Sequence, residues 1–167
     1  MINNQYTREA LSKFAREVVR QSRANLTRGK KNKGKLYKSL GFDLKVHKNS
    51  FMLGLNMEEY GAYQDKGVSG TKKKYNTPFS YKDKMPPREP ILKWVNSKRM
   101  RLRDKETGKF KKGGQKSLAF LIQRSIYQKG IKPSLFFTKP FEKHFKNLPQ
   151  EIIQAYGLDL DNVITER

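Results

Sequence analysis

The most constraining pattern in the sequence is a long amphipathic segment near the start of the chain. From Thr7 to about Leu26 the apolar residues recur at helical spacing, and a basic row that includes Arg16, Arg20 and Arg23 occupies the other side. A helix of this length spans about 30 Å, because each residue adds about 1.5 Å. It is therefore long enough to lie across a whole small sheet. We expect its Arg row to be a solvated face, with phosphate binding as the alternative.

The composition limits how large the covered core can be. The chain has 167 residues, of which 35% are hydrophobic and 31% are charged. We expect one domain, residues 1–167, in which aromatic side chains supply much of the buried area. Its core is expected at about 7–65 and 117–157, with an inserted basic region at about 66–116 and an acidic tail at 158–167.

The charge balance is the second constraint. Thirty-seven Lys and Arg against 15 Asp and Glu give a net charge of +22, and repulsion of that size opposes a compact free monomer. An anionic partner or screening by salt is therefore implied. Nucleic acid and an acidic surface of a neighbouring protein both satisfy this requirement, and the composition does not choose between them.

The chain has no Cys, which excludes disulfides, thiolate metal sites and cysteine nucleophiles. This usage is typical of proteins assembled in a reducing cytoplasm. The beginning of the chain lacks an apolar signal segment, and no apolar run approaches the roughly 18 residues of a membrane span. We expect a soluble, unsecreted protein without a membrane partner.

The remaining patterns predict an α+β fold. Phe42, Leu44 and Val46 alternate with polar residues, KNS supplies a turn, and FMLGL follows, which is typical of a β-hairpin. YGAYQ, from Tyr60, is a candidate for a further strand. We expect a small antiparallel sheet packed by the long N-terminal amphipathic helix and a C-terminal helix, with extended basic loops and a basic arm.

Three further helices are predicted in the second half of the chain. Pro90 suits the first turn of a short helix, and a stripe that begins at Leu118 can end at Gly130. Helical patterning resumes through Phe141, and Pro149 should kink or restart that helix. The predicted core is drawn from all these elements: Leu11, Phe14, Val18, Phe42, Leu44, Phe51, Leu53, Trp94, Leu121, Ile122, Phe141 and Phe145.

Basic residues concentrate in loops that cannot bury themselves. Residues 28–35 and 66–84 are predicted loops, and residues 98–116 form a predicted two-stranded arm with nine basic and two acidic residues. Aromatics follow the Lys run at 72–74, so this loop either tracks single strands or packs its aromatics on the body. The candidate residues for contact with a partner or a phosphate are Lys30, Lys31, Lys33, Lys72, Lys73, Lys74, Arg99, Arg101, Arg103, Lys109, Lys111 and Lys112.

The residues that catalysis usually needs are scarce. His47 and His144 have no partner at metal-ligand spacing, and close carboxylate pairs such as Glu58 and Glu59 fit turns. A two-metal nuclease site needs several converging carboxylates, and the sequence displays none at close spacing. We expect no catalytic, cofactor-binding or metal-binding residues, no cofactor, and a protein that is not an enzyme.

Four segments, in order, resemble a family of tailed-phage head-tail joining and tail-completion proteins. GKLYKSL (34–40) resembles the G-x-L-x-x-S-[IL] entry of that family, and the strand pair FDLKVH and FMLGL follows it. YGAYQDKGVSGT (60–71) is similar to the family's Tyr-Gly segment and glycine turn. FFTKPFEKHF (136–145) resembles the aromatic-Pro-Phe opening of the C-terminal helix.

The resemblance implies a structural virion protein at the neck of the particle, assembled in the host cytoplasm. Such subunits form a homo-oligomeric ring of six or twelve copies that joins the capsid portal side to the tail tube, with DNA passing through the lumen. The adjacent neck, portal-side or tail-tube proteins are the implied partners. The middle section, 66–132, is longer than is usual in the family, so the station within the neck stays open.

Two other function classes remain. A free nucleic-acid-binding protein could use the same basic loops as phosphate clamps. A small nuclease is the third class, and incubation with plasmid and magnesium would reveal it.

Overall fold

The computed structural model describes residues 4–29, 34–47, 50–104, 106–110 and 113–165. The fold is α+β, as predicted, and 56% of it is helical. Within the described residues it has one two-stranded antiparallel sheet and seven helices. In chain order the elements are α1 (Gln5–Arg28), α2 (Lys35–Ser39), β1 (Gly41–His47), β2 (Ser50–Asn56), α3 (Gly61–Lys66), α4 (Arg88–Ser97), α5 (Gln115–Lys129), α6 (Thr138–Phe145) and α7 (Leu148–Thr165).

The chain divides into two compact units. The terminal unit consists of residues 1–65 and 135–167, and the inserted unit consists of residues 66–134. The inserted unit begins where the sequence predicts an inserted region, at residue 66. It also includes α5, which the sequence analysis places in the main core.

The terminal unit is built around α1, as its apolar stripe predicts. Leu11, Phe14 and Val18 are buried and form one cluster with Leu148 of α7. A second cluster lies toward the end of α1, where Val19, Leu26, Leu36, Leu40 and Phe136 are buried together. Side chains of the sheet and of α6 pack against the first cluster while staying partly buried: Leu44, Phe51, Leu53 and Phe141.

The predicted hairpin is present, with β1 antiparallel to β2. Leu44 pairs with Leu53 and Phe42 with Leu55, so the apolar residues of both strands share one face. That face packs on α1, and the strands are thereby held although a two-stranded sheet alone is marginal in water. Most of the predicted KNS turn, residues 48–49, falls outside the described residues.

Two buried aspartates fasten helix starts to distant parts of the chain. Asp159 of α7 accepts hydrogen bonds from the backbone N–H groups of Tyr6 and Thr7, each at 2.9 Å, and from Thr7 Oγ1 at 2.7 Å. These amides belong to the first turn of α1, where they have no partner within the helix. Residues 158–165 of the predicted acidic tail belong to α7, which continues to Thr165, and Asp159 in this stretch caps α1.

Asp65 has the same role for α6. Its carboxylate accepts hydrogen bonds from the N–H of Phe137 at 2.8 Å, from the N–H of Thr138 and from Thr138 Oγ1. Its carbonyl accepts a bond from the N–H of Leu135 at 3.0 Å. Asp65 thus ties the point where the chain leaves the terminal unit to the point where it returns.

In the inserted unit, α4 packs against α5 through small side chains. Val95 of α4 and Ala119 of α5 are buried. Buried Gln123 donates a hydrogen bond to the carbonyl of Pro86 at 2.7 Å and accepts one from Arg88 Nε at 3.2 Å. The unit is therefore held together by polar and small side chains more than by large apolar ones.

Three residues of the predicted core are exposed, and those predictions are wrong. Trp94 is 46% exposed, Leu121 50% and Phe145 49%. On α4 and α5 the inward positions are Val95 and Ala119, so Trp94 and Leu121 face outward. Phe145, in the last turn of α6, stacks on Phe141 with ring centroids 5.4 Å apart. Ile122 is partly buried.

The predicted strand at YGAYQ is also wrong. These residues begin the helix α3 (Gly61–Lys66), and the N–H of Gly61 donates to the carbonyl of Glu58 at 2.8 Å in the turn before it. A segment this short does not contain enough periods to separate strand from helix. Pro149, in contrast, lies in the first turn of α7, so the predicted restart of the C-terminal helix is confirmed.

Candidate basic interface

The positive charge is divided unequally between the two units. The inserted unit has 20 Lys and Arg against 4 Asp and Glu, a net charge of +16. The terminal unit has 17 against 11, a net charge of +6 over a longer stretch of chain. Most of the excess charge of the molecule therefore belongs to the region between the segments that resemble the phage family.

One basic group is the lysine loop, residues 70–75, which closes the C-terminal end of α5. The N–H of Thr71 donates to the carbonyl of Tyr127 at 2.9 Å, and that of Lys72 donates to the carbonyl of Gln128 at 3.0 Å. These bonds satisfy carbonyls that a helix end leaves without partners. The negative end of the helix dipole also favours cations here, so Lys72, Lys73 and Lys74 have a local stabilising role.

Close packing of backbone fixes the lysine loop in place. A Cβ added at Gly70 would lie 2.2 Å from the carbonyl oxygen of Gln128. Gly130, with a φ of +71°, ends α5 as predicted, and a Cβ there would lie 2.1 Å from the carbonyl oxygen of Val68. The lysine loop is therefore held by closely packed backbone, and its three lysine side chains are exposed.

The aromatic residues after the lysines are partly buried. The N–H of Tyr75 donates to Ser69 Oγ at 3.0 Å, and the Lys73 ammonium lies 5.4 Å from the centre of the Tyr75 ring. Tyr81 packs on Tyr127 with ring centroids 6.2 Å apart, and burial raises the pKa of Tyr81 above its ordinary value of 10.0. This arrangement matches the alternative in which the aromatics pack on the body rather than stack on bases.

The second basic group is the basic arm, residues 99–112. Arg103 and Phe110 form an isolated antiparallel bridge, and Asp104 Oδ1 accepts bonds from the N–H groups of Glu106 and Thr107 at the turn. The Arg103 guanidinium lies 4.7 Å from the centre of the Phe110 ring. The predicted two-stranded arm therefore exists in the described residues as one bridge and a turn. Its described cations are exposed: Arg99, Arg101, Arg103 and Lys109.

The structure does not gather the two basic groups at one point. The arm leads into the N-terminal end of α5, whereas the lysine loop covers its C-terminal end. A helix of 15 residues is about 22 Å long, so the two groups are associated with opposite ends of α5. The other candidates, Lys30, Lys31, Lys33, Lys111 and Lys112, lie outside the described residues.

Comparisons with known proteins add no family assignment. No family model, curated protein or solved structure matches this chain. The resemblance to phage neck proteins therefore stays a prediction.

Groups with catalytic potential are dispersed. His47 is exposed on β1 and His144 is partly buried in α6. Across the part of the chain that the structure describes, no cluster of three or more His, Asp or Glu could hold a metal ion. Within the same residues, no helix is long and apolar enough to cross a membrane.

A groove in the terminal unit was not anticipated from the sequence. It has a volume of about 630 Å³ and lies between the second half of α1 and the start of β1. The Arg row of α1 indicates its basic side, but of its apolar lining only Val19 is on α1, and Leu40 and Phe42 come from a later part of the chain. We call it the arginine groove, and its lining includes Arg16, Arg20 and Arg23 with the apolar residues Val19, Leu40 and Phe42.

Proposed function

We propose that this chain is a ring-forming structural subunit of the neck of a tailed phage, joining the capsid portal side to the tail tube. It acts by contact with its neighbours, without turnover. The observation that carries the proposal is where the family-like segments fall. Three of the four lie within the terminal unit: the entry segment contains α2, the strand pair forms β1 and β2, and the aromatic-Pro-Phe segment contains α6. The fourth, YGAYQDKGVSGT (60–71), contains α3 and runs past residue 65 into the inserted unit.

The inserted unit supports the same proposal as an addition to that frame. It leaves the terminal unit after residue 65 and returns before residue 135, where Asp65 joins the two crossings. A long insertion at a fastened point can vary without disturbing the parts that the family-like segments build. It accounts for the middle section that is longer than the family's usual one.

The excess positive charge of the chain supports a role in an assembled particle. With 37 cations and 15 carboxylates in the chain, at least 22 cations have no carboxylate of their own to pair with. Exposed charges are screened within about 8 to 10 Å at ordinary ionic strength, so they gain little in a free subunit. They gain more when several face acidic neighbours or phosphates at once. A neck position offers both kinds of surface.

Deletion of the gene from the phage genome that would carry it tests the proposal. We expect lysates with DNA-filled heads and separate tails in electron micrographs, and infectious particles restored by a plasmid copy. A catalytic role is tested in the same way with a plasmid copy in which His47, His144, Glu58 and Glu59 are all replaced, which should restore particles fully. Joined, infectious particles without the gene would contradict the proposal.

A free nucleic-acid-binding protein is the second candidate, favoured by the +16 charge of the inserted unit. Its phosphate clamps would be the exposed lysine loop and basic arm. The partly buried Tyr75 and Tyr81 argue against base stacking as a source of its affinity. Duplex binding by the purified chain separates the two candidates.

A further inference from the structure

The C-terminal helix α7 has an apolar stripe that none of the residues described in the structure covers. Ile153, Tyr156, Leu160 and Ile164 follow one another at spacings of three and four, which places them on one side of the helix. Ile153 and Ile164 are each 72% exposed, and Tyr156 and Leu160 are also exposed. We call these four residues the α7 stripe.

The stripe is presented on a fixed element. Leu148 and Ala155 of α7 are buried, and Asp159 holds the helix to the start of α1 by three hydrogen bonds. The buried positions and the stripe lie on different sides of α7, so covering the stripe would not require the helix to move. An ordered, exposed apolar row of this kind marks a docking surface.

Charge indicates what covers it. Asp161, three residues before Ile164, is the exposed acidic residue beside the stripe, since Asp159 is buried against the start of α1, and α7 has no basic residue between 148 and 165 in a chain of net charge +22. Pairing of two α7 helices would bring like charges together, whereas a basic apolar surface is complementary. The arginine groove of the same chain is such a surface. Arg23 in this groove donates through Nη2 to the carbonyl of Leu40 at 2.7 Å, and its guanidinium lies 5.6 Å from the centre of the Tyr37 ring.

We propose that the α7 stripe of one copy docks into the arginine groove of the next copy. This inference rests on the proposed ring and names its contact surface. The stripe and the groove are different surfaces of one unit, so the contact is head-to-tail and repeats from copy to copy until the rotation closes a ring. A closed ring of copies joined in this way buries the apolar stripe of every member and places Asp161 beside the arginines of the next copy.

Two variants, one on each surface, test whether the contact is head-to-tail. Ile153→Ser with Ile164→Ser removes apolar area from the stripe, and Ala24→Arg places a long charged side chain at the lining of the groove. Each should raise the dissociation constant of self-association at least about a hundredfold in sedimentation velocity experiments. Met52→Ser, which removes an exposed apolar side chain elsewhere in the terminal unit, and Ala24→Ser are the matched controls and should associate like the wild type.

Mixing the two defective variants gives the decisive result. Each retains one intact surface, so a head-to-tail contact predicts a dimer and no larger species from the mixture, at a concentration where each variant alone is monomeric because its own contact is weakened. Circular dichroism confirms that both variants are folded. A wild-type chain that stays monomeric at every concentration, or variants that associate normally, would overturn the inference. The neck function is judged separately, by the particles formed after gene deletion.

Discussion

The two units of this protein are held together in different ways. The terminal unit buries large apolar side chains in two clusters along α1. In the inserted unit the buried hydrophobic residues, among those that the structure describes, are only Val68, Val95 and Ala119. Backbone hydrogen bonds and close-packed glycines supply much of the rest. The terminal unit therefore has the character of a scaffold. The inserted unit is a charged region that buries few apolar side chains.

The contrast shows that the unit with most of the net charge is not the unit with most of the buried apolar side chains. A net charge of +16 on the inserted unit opposes its own compaction, and few large apolar side chains counter it. Its single tryptophan, Trp94, reports on this unit by fluorescence, whereas circular dichroism reports on all helices. The two signals allow the units to be compared in one experiment.

The largest expected effect is in the terminal unit. Phe141→Ala removes a ring that contacts Phe14, Phe137 and Phe145, and should lower the free energy of unfolding by about 3 kcal/mol. Urea unfolding followed by circular dichroism measures the loss. Phe145→Ala, at a half-exposed position beside it, should cost clearly less. Equal costs would show that the cluster is placed wrongly.

In the inserted unit the largest loss should come from a glycine. Gly130→Ala introduces a side chain at positive φ and against the carbonyl oxygen of Val68, which should cost about 2 kcal/mol. The loss should appear in the Trp94 fluorescence transition. Gly108→Ala, also at positive φ but with open space around it, is the control and should cost less. A Gly130→Ala variant as stable as the wild type would contradict the packed loop.

A smaller loss is expected for the cap of α1. Asp159→Ala leaves the N–H groups of Tyr6 and Thr7 without their acceptor and should cost about 1 to 2 kcal/mol in urea unfolding. Asp161→Ala, an exposed position on the same helix, should have almost no effect. If both variants unfold alike, α7 is not held through Asp159.

The sequence predicts those features whose cause is local. The stripe of α1, the alternation of β1 and β2, and Gly130 at the end of α5 all follow from spacing over a few residues, and the structure confirms them. The phase of α4 does not follow, because Trp94 and Val95 are both apolar and only the partner helix decides which faces inward. The caps at Asp65 and Asp159 join residues more than 70 positions apart, and no local pattern signals them.

The functional surfaces also include some features that the sequence predicts and others that it does not. Charge runs identify the lysine loop and the basic arm directly, because exposed cations need no partner in the fold to be recognised. The arginine groove is different, since Val19 and Leu40 come together only when α1 packs near the start of β1. The sequence displayed the Arg row without the apolar lining beside it.

The inserted unit, which contains Tyr81, should also lose a small amount of stability at high pH. Because burial raises the pKa of Tyr81, its neutral form stabilises the inserted unit fully below the ordinary pKa of 10.0, and this stabilisation is lost as the pH rises through the folded-state pKa. The Trp94 fluorescence transition should weaken above pH 10 more in the wild type than in Tyr81→Phe. An identical pH dependence in both proteins would remove this role of Tyr81.

We propose that the inserted unit's cations meet their partner in the assembled particle and do not make the free chain a DNA-binding protein. Duplex affinity of the purified chain, measured against salt concentration, tests it most directly, with Lys72, Lys73 and Lys74 replaced by Gln for comparison. We predict weak binding at about 0.15 M salt and a slope of log affinity against log salt that the replacement changes by less than one. Tight binding whose slope falls by about 2.7, at about 0.9 for each lost phosphate contact, would contradict the claim.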